Sequence, residues 1–420
     1  MTVKQQLSHP KYRPDIDGLR AIAVLAVVTF HAFPNWLQGG FIGVDVFFVI
    51  SGYLISTIIF ESLGKKTFSF TSFYARRIKR IYPALIFVLI ACLTFGWFSL
   101  LADEYRQLGK HVAAGSGFIS NLIFWSEAGY FDAAAETKPL LHLWSLGVEE
   151  QFYIIWPLLL WLAWKCKFNI LAIIVLIAVA SFILNVIEVK SDSVAAFYSP
   201  GTRFWELLSG SLLAWLTLCK SITEKPSNPK PAVDNRFSNI FSVVGVLLLF
   251  FGFWKINKEL SFPGYWALVP VSSAVLIILA GPNAFLNRKL LSNKVAVWFG
   301  LISFPLYLWH WPLLAFARIV ESNIPRPSIR MAAILLSFAL AYFTYKVIER
   351  PFRFGKSSNF KTTFLTFSLL ATGCLGFLIF NGDGFSLRKS LTGFNYDVTD
   401  IERPVEDNPI SHAKCIKIST

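Results

Sequence analysis

The chain has 420 residues, of which 55% are hydrophobic and 15% charged, with 41 Phe, 14 Trp and 13 Tyr. A soluble domain carries roughly a quarter charged residues, so this composition excludes an ordinary cytosolic enzyme and predicts an all-α integral membrane bundle with aromatic rings at its interfaces. The net charge of +14 comes from Lys and Arg concentrated in loops between apolar segments, which argues against a nucleic-acid partner.

Apolar stretches long enough to cross roughly 30 Å of hydrocarbon fall at 16–36, 41–60, 81–101, 144–164, 168–187, 203–219, 238–254, 263–281, 295–317, 331–348 and 361–380, which predicts about eleven transmembrane helices. The first carries Arg20 and His31 and has no small-residue cleavage site, so it reads as a retained helix. Basic residues are denser in the loops that share a side with the N-terminus, which is therefore expected in the cytoplasm, with the tail from Asn381 outside. The exterior stretch 102–143, with Trp125, Tyr130 and Phe131, is long enough to fold back as a lid, and the Pro-rich run 221–236 reads as a linker. No internal repeat is visible, which weighs against a repeat-built transporter. Cys92 and Cys374 fall within helices and Cys166 and Cys219 at cytoplasmic ends; Cys415 is a lone exterior thiol, which suggests a missing partner. The six His lack metal-ligand spacing, so no metal site is expected.

Ionisable residues inside apolar spans are costly and mark function. On the first helix Arg20 and His31 return to one face about 16 Å apart, so they line one path. On the second, Asp45 lies in Gly43-Val44-Asp45-Val46-Phe47-Phe48-Val49-Ile50-Ser51-Gly52 and is expected to orient His31, as a carboxylate serves a catalytic imidazole; the simpler reading is a carboxylate facing exterior water. Gly39, Gly40, Gly43 and Gly52 are expected to let these two helices pack closely.

At the start of the third span, Arg76, Arg77, Lys79 and Arg80 form a basic run in which Arg77 and Arg80 share a face suited to phosphate oxygens; a positive-inside anchor is the competing reading. The fourth opens with Leu141-His142-Leu143-Trp144-Ser145-Leu146-Gly147-Val148-Glu149-Glu150, where His142, Ser145 and Glu149 recur at helical spacing and predict an exterior-facing polar pocket. Glu150 points elsewhere, toward Arg203 or another basic group, and Arg203 and Glu206 form a structural pair. In Ser303-Phe304-Pro305-Leu306-Tyr307-Leu308-Trp309-His310-Trp311-Pro312 the prolines predict a bend around a cavity whose aromatic faces suit a sugar ring or a lipid or acyl channel, with ordinary aromatic packing an equal competitor.

Together these segments, with Tyr12-Arg13-Pro14-Asp15-Ile16-Asp17-Gly18-Leu19-Arg20-Ala21 ahead of His31, resemble membrane acyltransferase family 3 over residues 10–355. The resemblance implies a ten-helix acyltransferase core (1–355), an eleventh linking helix (356–380), and an exterior segment (381–420) that looks like the start of an SGNH-type domain whose nucleophile block is missing from this chain. It implies transfer of an acyl group, usually acetyl, from cytoplasmic acetyl-CoA across a bacterial inner membrane to a sugar hydroxyl of a surface polysaccharide such as O-antigen or other lipopolysaccharide. His31 would then be base or acyl carrier, with Asp45 and Arg20 beside it. Arg77, Arg80 and Arg76 would hold the CoA phosphates, and His142, Ser145, Glu149, Tyr307 and His310 would form the acceptor pocket. The alternative from another class is a proton-coupled transporter or lipid-linked sugar flippase using Arg20, His31 and Glu149 as a relay.

Overall fold

The structure, a computed structural model, describes residues 12–128, 135–223, 235–355 and 359–386. The lone Cys415, Tyr130, Phe131, most of the Pro-rich linker and the proposed start of an SGNH-type domain lie outside the described residues.

The described residues are helical, in the order α1 (Pro14–Ala32), α2 (Gly43–Gly64), α3 (Phe70–Ser99), α4 (Ala102–Ser116), α5 (Ser120–Glu127), α6 (Leu143–Lys165), α7 (Ile170–Ser191), α8 (Ser193–Tyr198), α9 (Pro200–Thr223), α10 (Asn235–Lys255), α11 (Leu268–Ala280), α12 (Lys294–Leu301), α13 (Ser303–Glu321), α14 (Pro327–Phe343), α15 (Arg350–Phe354) and α16 (Asn359–Asn381). Local chemistry sets several starts. Pro14 opens α1 with Asp15 and Asp17 in its first turn, where a fixed φ and negative charge both favour a helix N-terminus. The Asn169 side chain accepts from the Ala172 amide at α7, and Asp192 accepts from Val194 and Ala195 at α8.

Six helices among the described residues are long and apolar enough to cross a bilayer, or seven if α12 and α13 count as one broken span. The shortfall from eleven has a visible cause. Asp15, Asp17 and Arg20 interrupt α1, Glu149, Glu150 and Gln151 interrupt α6, and Arg203 and Glu206 interrupt α9, although each of these helices is of spanning length. α11, with 13 residues, is shorter than the expected span at 263–281.

Burial orders the bundle. The apolar window around α2 is 78% buried, against 22% for α7 and for the span that includes α14, and 28% for α16. α2 is therefore central, while α7, α14 and α16 present apolar side chains such as Leu176, Leu335 and Phe367 outward, as lipid-facing helices do. The glycines expected to join the first two helices divide their work. Gly40 and Gly43 press on the Ala26 and Ala23 carbonyls of α1, whereas Gly39 meets the α10 end and Gly52 meets the Leu207 carbonyl of α9. Gly210 answers from α9 by seating on the Val49 carbonyl, so α2 and α9 touch backbone to backbone.

The expected bend at 295–317 is present, at 63°, and it lies at Ile302 between α12 and α13. Pro305 sits in the first turn of α13, where its missing amide interrupts the ladder back to Leu301. The described residues of the stretch 102–143 fold back on the bundle. α4 packs along α16 through Gly109 and Gly376, and the Trp311 indole nitrogen donates to the Lys138 carbonyl at 2.8 Å, fixing 135–142 against α13.

Candidate functional site

Two cavities open between α1, α2, α6 and α13. One, enclosing about 770 Å³ with its mouth, is lined by Arg20, Ser51, Arg77, Arg80, Ser145, Glu149, Tyr153 and Tyr307. The other, about 1620 Å³ with its mouth, is lined by His31, Asp45, His142, Trp144, Lys258, Tyr307 and Trp311 among others. Val44 and Tyr307 line both. Arg20 and His31, eleven residues apart on one helix, thus face different cavities that share a wall.

The arginine cavity is built by α1, α2, α3, α6 and α13. Arg77 and Arg80 both line it, and the Arg77 guanidinium lies 4.8 Å from the centre of the Tyr153 ring. Tyr153 Oη donates to Glu149 Oε2 at 3.1 Å, so an acidic and a basic group share the wall through one tyrosine. Arg20 Nη1 lies 3.5 Å from Asp17 Oδ1. Arg76, expected with the other two arginines, is exposed and lines neither cavity.

Tyr307 is pinned in the shared wall. Its hydroxyl donates to the His142 carbonyl at 2.8 Å, and Ser145 Oγ stands 2.6 Å from the same oxygen. Ser145 and Glu149 therefore face the arginine cavity while His142 faces the other, so the expected single pocket of His142, Ser145 and Glu149 is split by the Tyr307 ring.

The imidazole cavity departs further from expectation. Asp45 is not bonded to His31: its Oδ1 accepts from Arg203 Nη2 at 3.0 Å. Arg203 also lies 2.9 Å from Glu206 Oε1, the structural pair expected at this spacing. That guanidinium is buried among the rings of Phe48, Trp144, Phe197 and Phe262, so it takes the carboxylate that the short loop between α1 and α2 had placed near His31. The partner of His31 is His310, expected only as a pocket residue, with Nδ1 of His31 2.9 Å from Nε2 of His310. His142 stands beside them, its ring centre 5.9 Å from that of His310. Glu150 is buried with Oε1 unpaired, and Arg77, not Arg203, is the main opposite charge acting on it.

A further ionic cluster, which no motif announced, joins α4, α5 and Lys138. Glu127 on α5 accepts from His111 Nε2 at 2.9 Å and pairs with Lys110 at 2.8 Å and Lys138 at 3.0 Å. Burial alone would raise its carboxyl, but the bonds from His111, Lys110 and Lys138 prevail and hold it well below the usual carboxylate range.

Comparison with known proteins decides the family. The family described as an acyltransferase domain matches residues 13–346. The chain belongs to this membrane acyltransferase family. The chain is 34% identical over 393 residues to a putative peptidoglycan O-acetyltransferase, YrhL, of Bacillus subtilis, covering 89% of this chain and 61% of the relative. It is 32% identical over 359 residues to the peptidoglycan O-acetyltransferase OatA of Listeria monocytogenes, covering 82% and 56%. The O-acetyltransferase OatA of Staphylococcus aureus is 32% identical over 357 residues, covering 83% and 58%. The chain thus spans about three fifths of the length of these relatives. No solved structure matches it. Both cavities are built from residues inside the matched region.

Proposed function

We propose that this acyltransferase moves an acetyl group from cytoplasmic acetyl-CoA to a sugar hydroxyl of a glycan outside the bacterial inner membrane. The observation that carries the reading is the placement of Arg20, Arg77 and Arg80 in one cavity and His31 in the next, with Val44 and Tyr307 common to both. Arg77 and Arg80 hold the CoA phosphates by charge-assisted hydrogen bonds, Arg77 steadied on the Tyr153 face. The pantetheine arm runs past Arg20 toward the wall at Val44 and Tyr307, which moves to bring the thioester to His31.

With Nδ1 engaged by His310, the free nitrogen of His31 is Nε2. That nitrogen acts as general base toward the acceptor hydroxyl or as transient acyl carrier, since either task needs one lone pair. The aromatic walls of the outer cavity, Trp144 and Trp311 among them, suit a sugar ring. The relatives are named for peptidoglycan, which favours a peptidoglycan hydroxyl over one of O-antigen or lipopolysaccharide. Delivery to the acceptor is direct or passes through the serine of an exterior SGNH-type domain, the partner that family resemblance supplies. A flippase or transporter reading expects a matching pair of broken helices, and among the described residues α12–α13 is the one break of that kind.

The test is mass spectrometry of surface glycans from cells carrying wild-type or His31→Ala protein. O-acetyl groups on peptidoglycan that vanish in the variant support the reading. Unchanged acetylation with the variant present in the membrane removes His31 from the chemistry.

A further inference from the structure

We infer that His310 is the positioning residue for His31, fixing its tautomer and accepting the Nδ1–H of the imidazolium that the reaction forms. This is the role that the sequence pattern offered to Asp45. The inference rests on the acyltransfer reading above and adds to it how the imidazole is made competent.

The chain of hydrogen bonds fixes the N–H proton of both rings. His310 Nδ1 lies 2.7 Å from the Tyr307 carbonyl and 3.2 Å from the Leu306 carbonyl. Carbonyl oxygens only accept, so His310 Nδ1 carries a hydrogen. In a neutral imidazole the other nitrogen then has the lone pair, so His310 Nε2 accepts. The hydrogen of the 2.9 Å contact therefore belongs to His31 Nδ1. His31 Nε2 is left with its lone pair free, and the His31 side chain lines the outer cavity.

The ring geometry agrees. The two ring planes are 15° apart with centres 5.2 Å apart, about the N···N distance plus one ring radius on each side, so the rings lie edge to edge in nearly one plane. That is the alignment a strong N–H···N bond requires. His310 is 1% exposed, and the T-shaped contact of Trp311 with His31, centres 4.5 Å apart, holds the ring from another side. The other opposite-charge candidate, Asp45, is committed to Arg203.

In the base mode the step balances as follows. The acceptor oxygen bonds to the thioester carbonyl carbon while its proton passes to His31 Nε2, the C–S bond breaks with its electron pair on sulfur, and the departing thiolate takes that proton to give free CoA. During the step His31 is an imidazolium whose Nδ1–H is held by His310 Nε2.

The experiment uses the protein in nanodiscs with [¹⁴C]acetyl-CoA as donor and a chitooligosaccharide as soluble acceptor, measuring kcat, KM for acetyl-CoA and equilibrium CoA binding. His310→Ala is expected to lower kcat by about 10² to 10⁴-fold, while KM for acetyl-CoA and CoA binding change by less than about 3-fold. His310→Gln places an oxygen acceptor near the lost Nε2 and is expected to recover at least about 10-fold of that loss. A His310→Ala enzyme with near-wild-type kcat, beside an inactive His31→Ala enzyme, overturns the assignment alone. So does a His310→Ala defect that the Gln variant does not relieve and that takes CoA binding with it, since that is a structural role. A fully active His31→Ala enzyme, or a wild type that does not consume acetyl-CoA, overturns the acyltransfer reading and this assignment together.

Discussion

Asp45 Oδ1 and Arg203 Nη2 are 3.0 Å apart, each side chain at 1% exposure, in a contact that ties α2 to α9. Removing one partner of a buried ion pair costs about 3 to 5 kcal/mol where it strands the other charge; here Glu206 stays 2.9 Å from Arg203, so the loss falls below that figure and comes with the lost tie between α2 and α9. Asp45→Ala is therefore expected to act on folding, lowering membrane yield and thermal stability. Asp45→Asn, which keeps an oxygen for Arg203, should lose less. An Asp45→Asn protein of full stability and sharply reduced kcat would return the carboxylate to the service of His31.

Arg76, Arg77 and Arg80 are close in sequence but not in environment. Arg77→Ala and Arg80→Ala are each expected to weaken CoA binding about 10-fold or more, the loss of roughly 1.4 kcal/mol or above. Arg76→Ala should bind CoA nearly as wild type does, since Arg76 is exposed and off the cavity. Arg77→Lys should recover only part of the binding, because a point charge lacks the planar fork and its stacking on Tyr153. Isothermal titration with CoA separates the four variants.

Gly52 and Gly210 sit at the backbone contact of α2 with α9, where an added Cβ would overlap the Leu207 and Val49 carbonyls. Gly52→Ala and Gly210→Ala must push the helices apart and disturb the Asp45–Arg203 pair as well. Each should abolish a monodisperse peak in size-exclusion chromatography. Gly64→Ala, at a position with open space around it, should elute as wild type.

Glu127 gathers His111, Lys110 and Lys138 and so links α4, α5 and the start of the 135–142 segment. Its carboxyl is held below the usual range in the folded protein, so its contribution is present above about pH 4.3, the ordinary Glu value, and is lost as pH falls below it toward the depressed folded value. Melting temperature should fall more steeply for wild type than for Glu127→Gln as pH drops from 5 toward 3. Parallel curves would mean that this cluster carries no pH-linked stability.

The sequence reading and the structure part where partners are distant in the chain. α2, α7 and α16 are legible because an unbroken apolar run announces a spanning helix. α1, α6 and α9 are less so, since the polar residues that build the cavities dilute the signal. The arginine face and the His31 position follow from helical spacing within one segment. The partner of His31 does not: His310 is 279 residues away, and Arg203 is 158 residues from the Asp45 it binds. Asp45, 14 positions beyond His31 across a short loop, is the nearest carboxylate on the following helix, but packing gives it to a guanidinium from α9.

The central claim is that the donor held among the arginines reaches His31 through the wall that Val44 and Tyr307 share. Val44, 8% exposed, is the smaller of the two side chains, so Val44→Trp places a large ring in that wall. The direct measurement is acetyl transfer from [¹⁴C]acetyl-CoA to glycan by Val44→Trp protein, set beside its affinity for CoA. CoA binding within about 3-fold of wild type together with a loss of transfer of at least about 100-fold is the predicted result. Wild-type transfer by a protein with its wall so filled would contradict the account, because the thioester would then be meeting its acceptor by another route.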